Sequence, residues 1–181
     1  MTRLFYGFLV LAAIAGAGNE DRQDQSKRDA KTATANADDT GEKIMSDDVR
    51  AFFESYLAGW DLADAGKLAD HYTMPTSIHG LNGPEVFTSR DLLMEKLRGY
   101  CEHFASIGYT GADFSCKHYS PVGETAAFVD LSWTIHRKGA PPYNFGTAYI
   151  LRRVGSEWRI FSAIPYESRD QSSQKSTARK P

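Results

Sequence analysis

A chain of 181 residues with 41% hydrophobic and 12% aromatic side chains holds enough apolar material for one ordinary core of about 100 to 200 residues. Its formal charge is −2, from 21 basic and 23 acidic residues; that gives no field able to hold a polyanion by counterion release and argues against nucleic acid as a partner. Nearly all the apolar supply lies after Met45.

Met1-Thr2-Arg3 precedes an apolar run from Leu4 to Ala15 that leads into the small residues Ala15-Gly16-Ala17. A basic start, a short apolar stretch and a small-residue exit are the plan of a secretory signal peptide over residues 1–17. The run is too short for a stable membrane span of about 20 residues. Export to the periplasm or beyond follows if this leader is used. Met45-Ser46-Asp47-Asp48 offers a second start, from which the protein would stay cytoplasmic. Between Gly18 and Lys43 there is no aromatic or large aliphatic residue, so the chain there cannot offset its ordering entropy by burial. The composition predicts a disordered linker over residues 18–45, one domain over 46–167 and a disordered basic tail over 168–181.

Within the domain, Ser46 is placed to cap a first helix, with Asp47 and Asp48 in its first turn. Val49, Phe52, Phe53, Tyr56, Leu57 and Trp60 recur at the spacing of one helical face. Asp64 caps a short second helix containing Leu68 and ending near His71 or Tyr72. Pro75 forbids its continuation and favours extended chain through Ile78. Gly80 to Pro84 reads as a turn, with a short extended piece from Glu85 to Phe87. A third helix opens at Thr88 or Ser89, carries Leu92, Leu93, Leu97, Tyr100, Cys101 and Phe104, and stops at Gly108. The period then changes to that of strands: Phe114–Tyr119, Ala126–Arg137, Phe145–Arg153 and Trp158–Ile164, separated by Gly- and Pro-rich turns. Helices first and strands afterwards predict an α+β fold, an antiparallel sheet with three helices packed on one face.

Two stretches carry a resemblance: Trp60-Asp61-x-x-Asp64-x-x-x-Leu68-x-x-x-Tyr72, and Gly146-x-x-Tyr149-x-Leu151-Arg152-Arg153 followed by Gly155-Ser156-Glu157-Trp158-Arg159-Ile160. In this order and separation the chain resembles the nuclear transport factor 2-like superfamily, in its SnoaL-like and ketosteroid-isomerase-like branch. The resemblance implies a cone-shaped, curved antiparallel sheet on three helices, of cystatin-like form, enclosing a pocket for a small, largely apolar molecule. It also implies a homodimer through the sheet. Fold alone does not fix activity. Binding without catalysis, an isomerase, cyclase or dehydratase using proton transfer on a carbonyl substrate, and a non-enzymatic interaction module are therefore the three expectations.

The isomerases of that superfamily place a carboxylate base near the end of the first strand; here the stretch reads Ile78-His79-Gly80. His79 is the nearest proton acceptor, either a general base or a solvent-facing turn residue. Tyr56 is the candidate hydroxyl donor beside it. Tyr56 and Trp60, one helical turn apart, are ligand contacts or core aromatics. Tyr149 is a third hydroxyl, in the pocket or in cross-strand packing. The strand Ala126–Arg137 separates into Val129, Leu131, Trp133 and Ile135 on one face and Phe128, Asp130, Ser132, Thr134 and His136 on the other. If the polar row lines the cone, Asp130 and His136 reach a ligand; if the aliphatic row does, they lie outside. Cys101 and Cys116 are the only cysteines. They are two buried small hydrophobes, or a disulfide closing a loop of about 15 residues for about 3 kcal/mol. No motif calls for a metal or another cofactor.

Overall fold

The fold is given by a computed structural model that describes residues 44–80 and 83–167. The leader, nearly all of the linker and the tail lie outside the described residues. Helix α1 runs Asp47–Asp61. Ser46 precedes it in extended conformation, as the sequence predicts, but its hydroxyl meets the Tyr119 hydroxyl at 3.1 Å rather than capping the helix. Asp48 ties the same end down. It accepts from the Val49 backbone N–H at 3.0 Å and from Trp158 Nε1 at 2.9 Å, and it pairs with Arg153. Hydrogen bonding from Ser46 and then Trp158 holds its carboxyl at about 2. Val49, Phe53 and Tyr56 form the buried stripe of α1, with Phe52, Leu57 and Trp60 packed at its edges. Met45, placed at the end of the linker by the sequence, is instead 2% exposed and part of this core; its large apolar side chain gains by burial what the polar residues before it cannot.

Helix α2, Ala65–Asp70, is capped as expected by Asp64, whose carboxylate accepts from the Lys67 N–H at 3.0 Å. A Cβ at Gly59 would stand 2.9 Å from Cδ2 of the fully buried Leu68, so the absence of a side chain there lets α1 and α2 close on each other. Strand β1 spans Tyr72–Gly80 and β2 spans Gly83–Phe87. Helix α3, Arg90–Ser106, starts from Ser89 and gives way at Ile107 to Gly108, which takes a φ of +79°, a conformation glycine adopts without strain. Then come β3 (Tyr109–Val122), β4 (Ala126–Arg137), β5 (Ala140–Val154) and β6 (Glu157–Glu167). Among the described residues no helix is long and apolar enough to cross a membrane.

The six strands lie in the order β2-β1-β6-β5-β4-β3. Neighbours are antiparallel except β1 and β6, which pair in parallel. The sequence predicts antiparallel pairing throughout, since successive strands joined by tight turns must reverse. No tight turn joins β1 to β6: four strands and α3 lie between them, and their direction is free. Register slips at Cys116/His118, Ile135/Arg137 and Ile150/Leu151 bend the sheet, as bulges do. It stays open, with β2 and β3 at its edges. The helices cover the concave face. There β4 turns in Ala127, Val129, Leu131, Trp133 and Ile135, each no more than 4% exposed. That settles the facing of β4: the aliphatic row is the core. Cys101 on α3 and Cys116 on β3 both pack toward it with no disulfide between them, and burial pushes the Cys101 thiol up.

Candidate functional site: an aromatic cavity on the concave face

Between the C-terminal parts of α1 and α3 and strands β3 to β5 lies a half-open cavity of about 40 Å³. Its wall takes Leu57 and Trp60 from α1, Phe104 from α3, Tyr109 and Ala112 from β3, Trp133 and Ile135 from β4, and Phe145 and Tyr149 from β5. The register explains the grouping, because Trp133 is bracketed by Phe114 on β3 and Phe145 on β5. The mouth is a run of rings. Trp60 meets Phe104 edge-on at 5.4 Å, Phe104 lies 5.7 Å from Tyr109, and the Tyr109 hydroxyl donates to Asp61 Oδ1 at 2.6 Å. Burial, and then the Asp61 carboxylate beside it, push the Tyr109 phenol well above its ordinary value.

Two of the wall's side chains carry a buried polar atom. Trp133 is 4% exposed, and its Nε1–H has no partner at full hydrogen-bond geometry. Tyr149, also 4% exposed, is the second. Burial drives its phenol far up, and the adjacent Tyr56 adds to this, so it remains a neutral hydroxyl that can donate or accept. Hydrogen bonding from Thr147 and then Trp133 acts the other way and eases that ionisation slightly.

Behind the wall lies a layer of packed phenols. The Tyr56 and Tyr72 hydroxyls bond at 2.7 Å, both are buried, and burial is the first cause raising both. Tyr56 touches the rings of Trp60, Trp133 and Tyr149 at centroid distances of 5.9, 6.5 and 6.4 Å. It therefore supports the cavity wall from behind and is not part of it. His71 closes the other side of Tyr56, with its Nδ1 2.8 Å from the Lys67 carbonyl and its Nε2 3.1 Å from Ser55 Oγ. Burial lowers its pKa, which keeps the ring neutral.

Of the residues the sequence singled out, Trp60 and Tyr149 stand in the wall and Tyr56 behind it. The other three do not belong to the cavity. His79 alternates with the inward-facing Ile78, so its ring turns to the convex face, where Nε2 lies 3.2 Å from Ser77 Oγ and Ser77 in turn lies 3.0 Å from Ser162 Oγ. The pairing of His79 as base with Tyr56 as donor fails on this geometry, since the sheet separates them. Asp130 accepts from the Tyr166 hydroxyl and His136 Nε2 lies 2.6 Å from Asp113 Oδ2, both on the convex face, because the aliphatic row of β4 takes the inward positions. Sequence reasoning missed Phe104, Tyr109 and Phe145, and it saw Trp133 only as one member of an apolar row. The signal available for Trp133 was its place at the centre of that row: an indole there buries an N–H that needs a partner.

A bent sheet closed by three helices over an apolar cavity defines the nuclear transport factor 2-like class. The family model described as NTF2-like protein (DUF6841) matches residues 46–168, and the chain belongs to that family. Solved structures agree on the fold. An NTF-2 like protein of unknown function from Shewanella oneidensis MR-1 superposes with a TM-score of 0.53 at 18% identity, over 66% of this chain and 96% of the other. A putative scytalone dehydratase from Novosphingobium aromaticivorans gives 0.51 at 16%, over 67% and 82%. A ketosteroid isomerase-like protein from Erwinia carotovora atroseptica gives 0.52 at 17%, over 66% and 93%. No curated protein matches the sequence.

Proposed function

We propose that the domain binds a small, largely apolar molecule in the concave cavity. The observation that carries this reading is a half-open space on the concave face walled almost wholly by aromatic and aliphatic side chains. Apolar pockets oriented by a few polar atoms are the usual form of small-molecule sites. The putative dehydratase and isomerase-like relatives support the same use of the fold, as does the SnoaL-like character of the two motif stretches. The proton-transfer alternative is weaker, because the cavity wall carries neither carboxylate nor imidazole and His79 lies on the other side of the sheet.

Ala112 stands in the wall on the edge strand β3, so Ala112→Leu fills the cavity from a position that tolerates added bulk. Ligand-observed NMR against a panel of small lipophilic metabolites should detect binders of the wild-type protein and lose them, by about tenfold or more in affinity, in Ala112→Leu. Folded wild-type protein that binds nothing in the panel, or a variant that binds equally well, would remove this reading.

A second reading concerns the convex face. Phe128 pairs with Ile150, Ile150 with Ser162, Ser162 with Ser77 and Ser77 with Val86. With Ile164 in the next row, this makes a stripe across five strands in which Val86, Phe128, Ile150 and Ile164 are 64%, 36%, 39% and 38% exposed. Exposed apolar side chains grouped on one face, here interrupted by Ser77 and the buried Ser162, favour association, and we assign this face to a second copy of the chain. Sedimentation should give a dimer for the wild type and a monomer for Ile150→Lys. A wild type that sediments as a monomer at tens of micromolar would dismiss the dimer.

A further inference from the structure

Outside the cavity, a serine and a histidine meet in an arrangement that the binding reading does not use. Ser55 is exposed on α1, and His71 follows the last turn of α2. The His71 backbone N–H goes to the Leu68 carbonyl, which leaves the Lys67 carbonyl among the unpaired acceptors at the end of that helix. His71 Nδ1 takes it at 2.8 Å. A carbonyl only accepts, so Nδ1 carries the proton of the neutral ring. The lone pair is then at Nε2, and the Ser55 hydroxyl, 3.1 Å away, donates to it. Phe52 and Tyr56 meet the imidazole edge-on at centroid distances of 5.3 and 5.5 Å and fix its plane. A hydroxyl bonded to a neutral imidazole whose other nitrogen is held by a third group is the arrangement of an activated nucleophile. In the second serine–histidine contact, Ser77 with His79, the serine is shared with Ser162 instead.

We infer that Ser55 is a nucleophile that accepts an acyl group from small activated esters, with His71 as its general base. Ser55 Oγ forms a bond to the acyl carbon while His71 Nε2 takes the hydroxyl proton. As the tetrahedral adduct collapses, the bond from the acyl carbon to the ester oxygen breaks; the alcohol or phenol departs with that electron pair and takes the proton back from Nε2. The product is O-acyl-Ser55, and no further reactant is consumed. The surroundings set the substrate class. Ser55 stands inside α1, where backbone N–H groups are spent on the helix, so no pair of free amides holds an oxyanion. Arg159, whose charge is felt at His71, offsets the developing negative charge only in part, because Glu157 pairs with it. With so little stabilisation of the adduct, the donor must bring its own good leaving group. An exposed serine without walls around it also favours a small acyl group over a large one that needs positioning.

The test treats the folded full chain with p-nitrophenyl acetate and follows p-nitrophenolate release together with the acetylated positions, found by peptide mass spectrometry. The expected result is a single acetyl group at Ser55, formed about tenfold or more faster than at any other serine, as an activated nucleophile requires. Ser55→Ala should remove that label and its share of the release. His71→Gln should slow it by about a hundredfold or more, the lower end of what a general base supplies. In the wild type the Ser55 rate should rise with pH and then level off, with a midpoint below the 6.5 of an ordinary imidazole, because the base acts only when unprotonated. Burial is the first cause of that lowering and the Lys67 carbonyl opposes it; Arg159 lowers the value further and Asp70 raises it. The pH profile decides the matter if His71→Gln fails to fold. Acetylation of lysines or of His71 with Ser55 unlabelled would overturn the proposal. So would a Ser55 rate no faster than that of other exposed serines, a rate unchanged in folded His71→Gln, or one that keeps rising above pH 8 without a plateau. The Ser55–His71 contact would then be a tie between α1 and the end of α2. Neither outcome bears on binding in the concave cavity.

Discussion

Phe53→Ala should lower the free energy of unfolding by about 3–5 kcal/mol, the range for deleting a fully buried aromatic ring. Phe53 is fully buried at the centre of α1 and holds the helix to the sheet through Tyr149 at a centroid distance of 5.0 Å and Phe114 at 6.1 Å. It also meets Phe52 and Tyr56 edge-on. Few neighbours are free to collapse into the space it vacates, because the same rings are fixed by Trp133 and Tyr72. Urea unfolding followed by circular dichroism measures the loss as a shift of midpoint at constant slope. A cost below about 1 kcal/mol would mean that α1 is not the lid of this core. The same substitution removes the ring on which Tyr149 rests, so the cavity should widen and the variant should accept bulkier ligands than the wild type.

On the convex face, Gly146→Ala should cost about 1–3 kcal/mol through overpacking. A Cβ at Gly146 would lie 2.1 Å from Tyr166 Cζ, because the Tyr166 ring lies flat across the glycine opposite it in the β5–β6 register. That ring donates its hydroxyl to Asp130, has Lys117 Nζ 5.6 Å from its centroid, and is pushed up to about 12 by burial and then by the Asp130 bond. The alanine methyl displaces the ring and breaks this arrangement. In a Tyr166→Ala background the same change should be close to neutral or stabilising, since alanine loses less backbone entropy than glycine on folding. A double-mutant cycle therefore predicts a coupling above about 1 kcal/mol. Equal costs in the two backgrounds would show that Gly146 is required for its backbone alone.

The elements that were legible in the sequence are those whose local pattern and tertiary surroundings agree. The α1 stripe, the Asp64 cap, the break at Pro75 and the stop at Gly108 each follow from residue chemistry within a few positions. The alternation of β4 could be read, but not its direction, because a strand presents two faces and the sequence does not say which one the helices cover. Edge strand β3 extends to Tyr109, beyond the predicted start at Phe114, since Thr110 and Asp113 face solvent and interrupt its apolar signal. The parallel β1–β6 pair joins segments about 85 residues apart, a distance over which no turn residue gives a direction. The site suffered most from this. Its wall comes from α1, α3, β3, β4 and β5, so no spacing in the chain reveals it, whereas His79, Asp130 and His136 drew attention as chemistry-bearing residues and prove to lie on the convex face.

The central claim is that the concave face holds a fillable apolar space beneath the ends of α1 and α3. Crystals pressurised with xenon test it directly, since xenon enters apolar cavities of protein interiors without needing polar contacts. The account predicts a xenon peak in van der Waals contact with Leu57, Trp60, Ile135 and Phe145, lost in Ala112→Leu. Xenon bound only elsewhere on the wild-type protein, with side chains of the wall closed over the position, would contradict it.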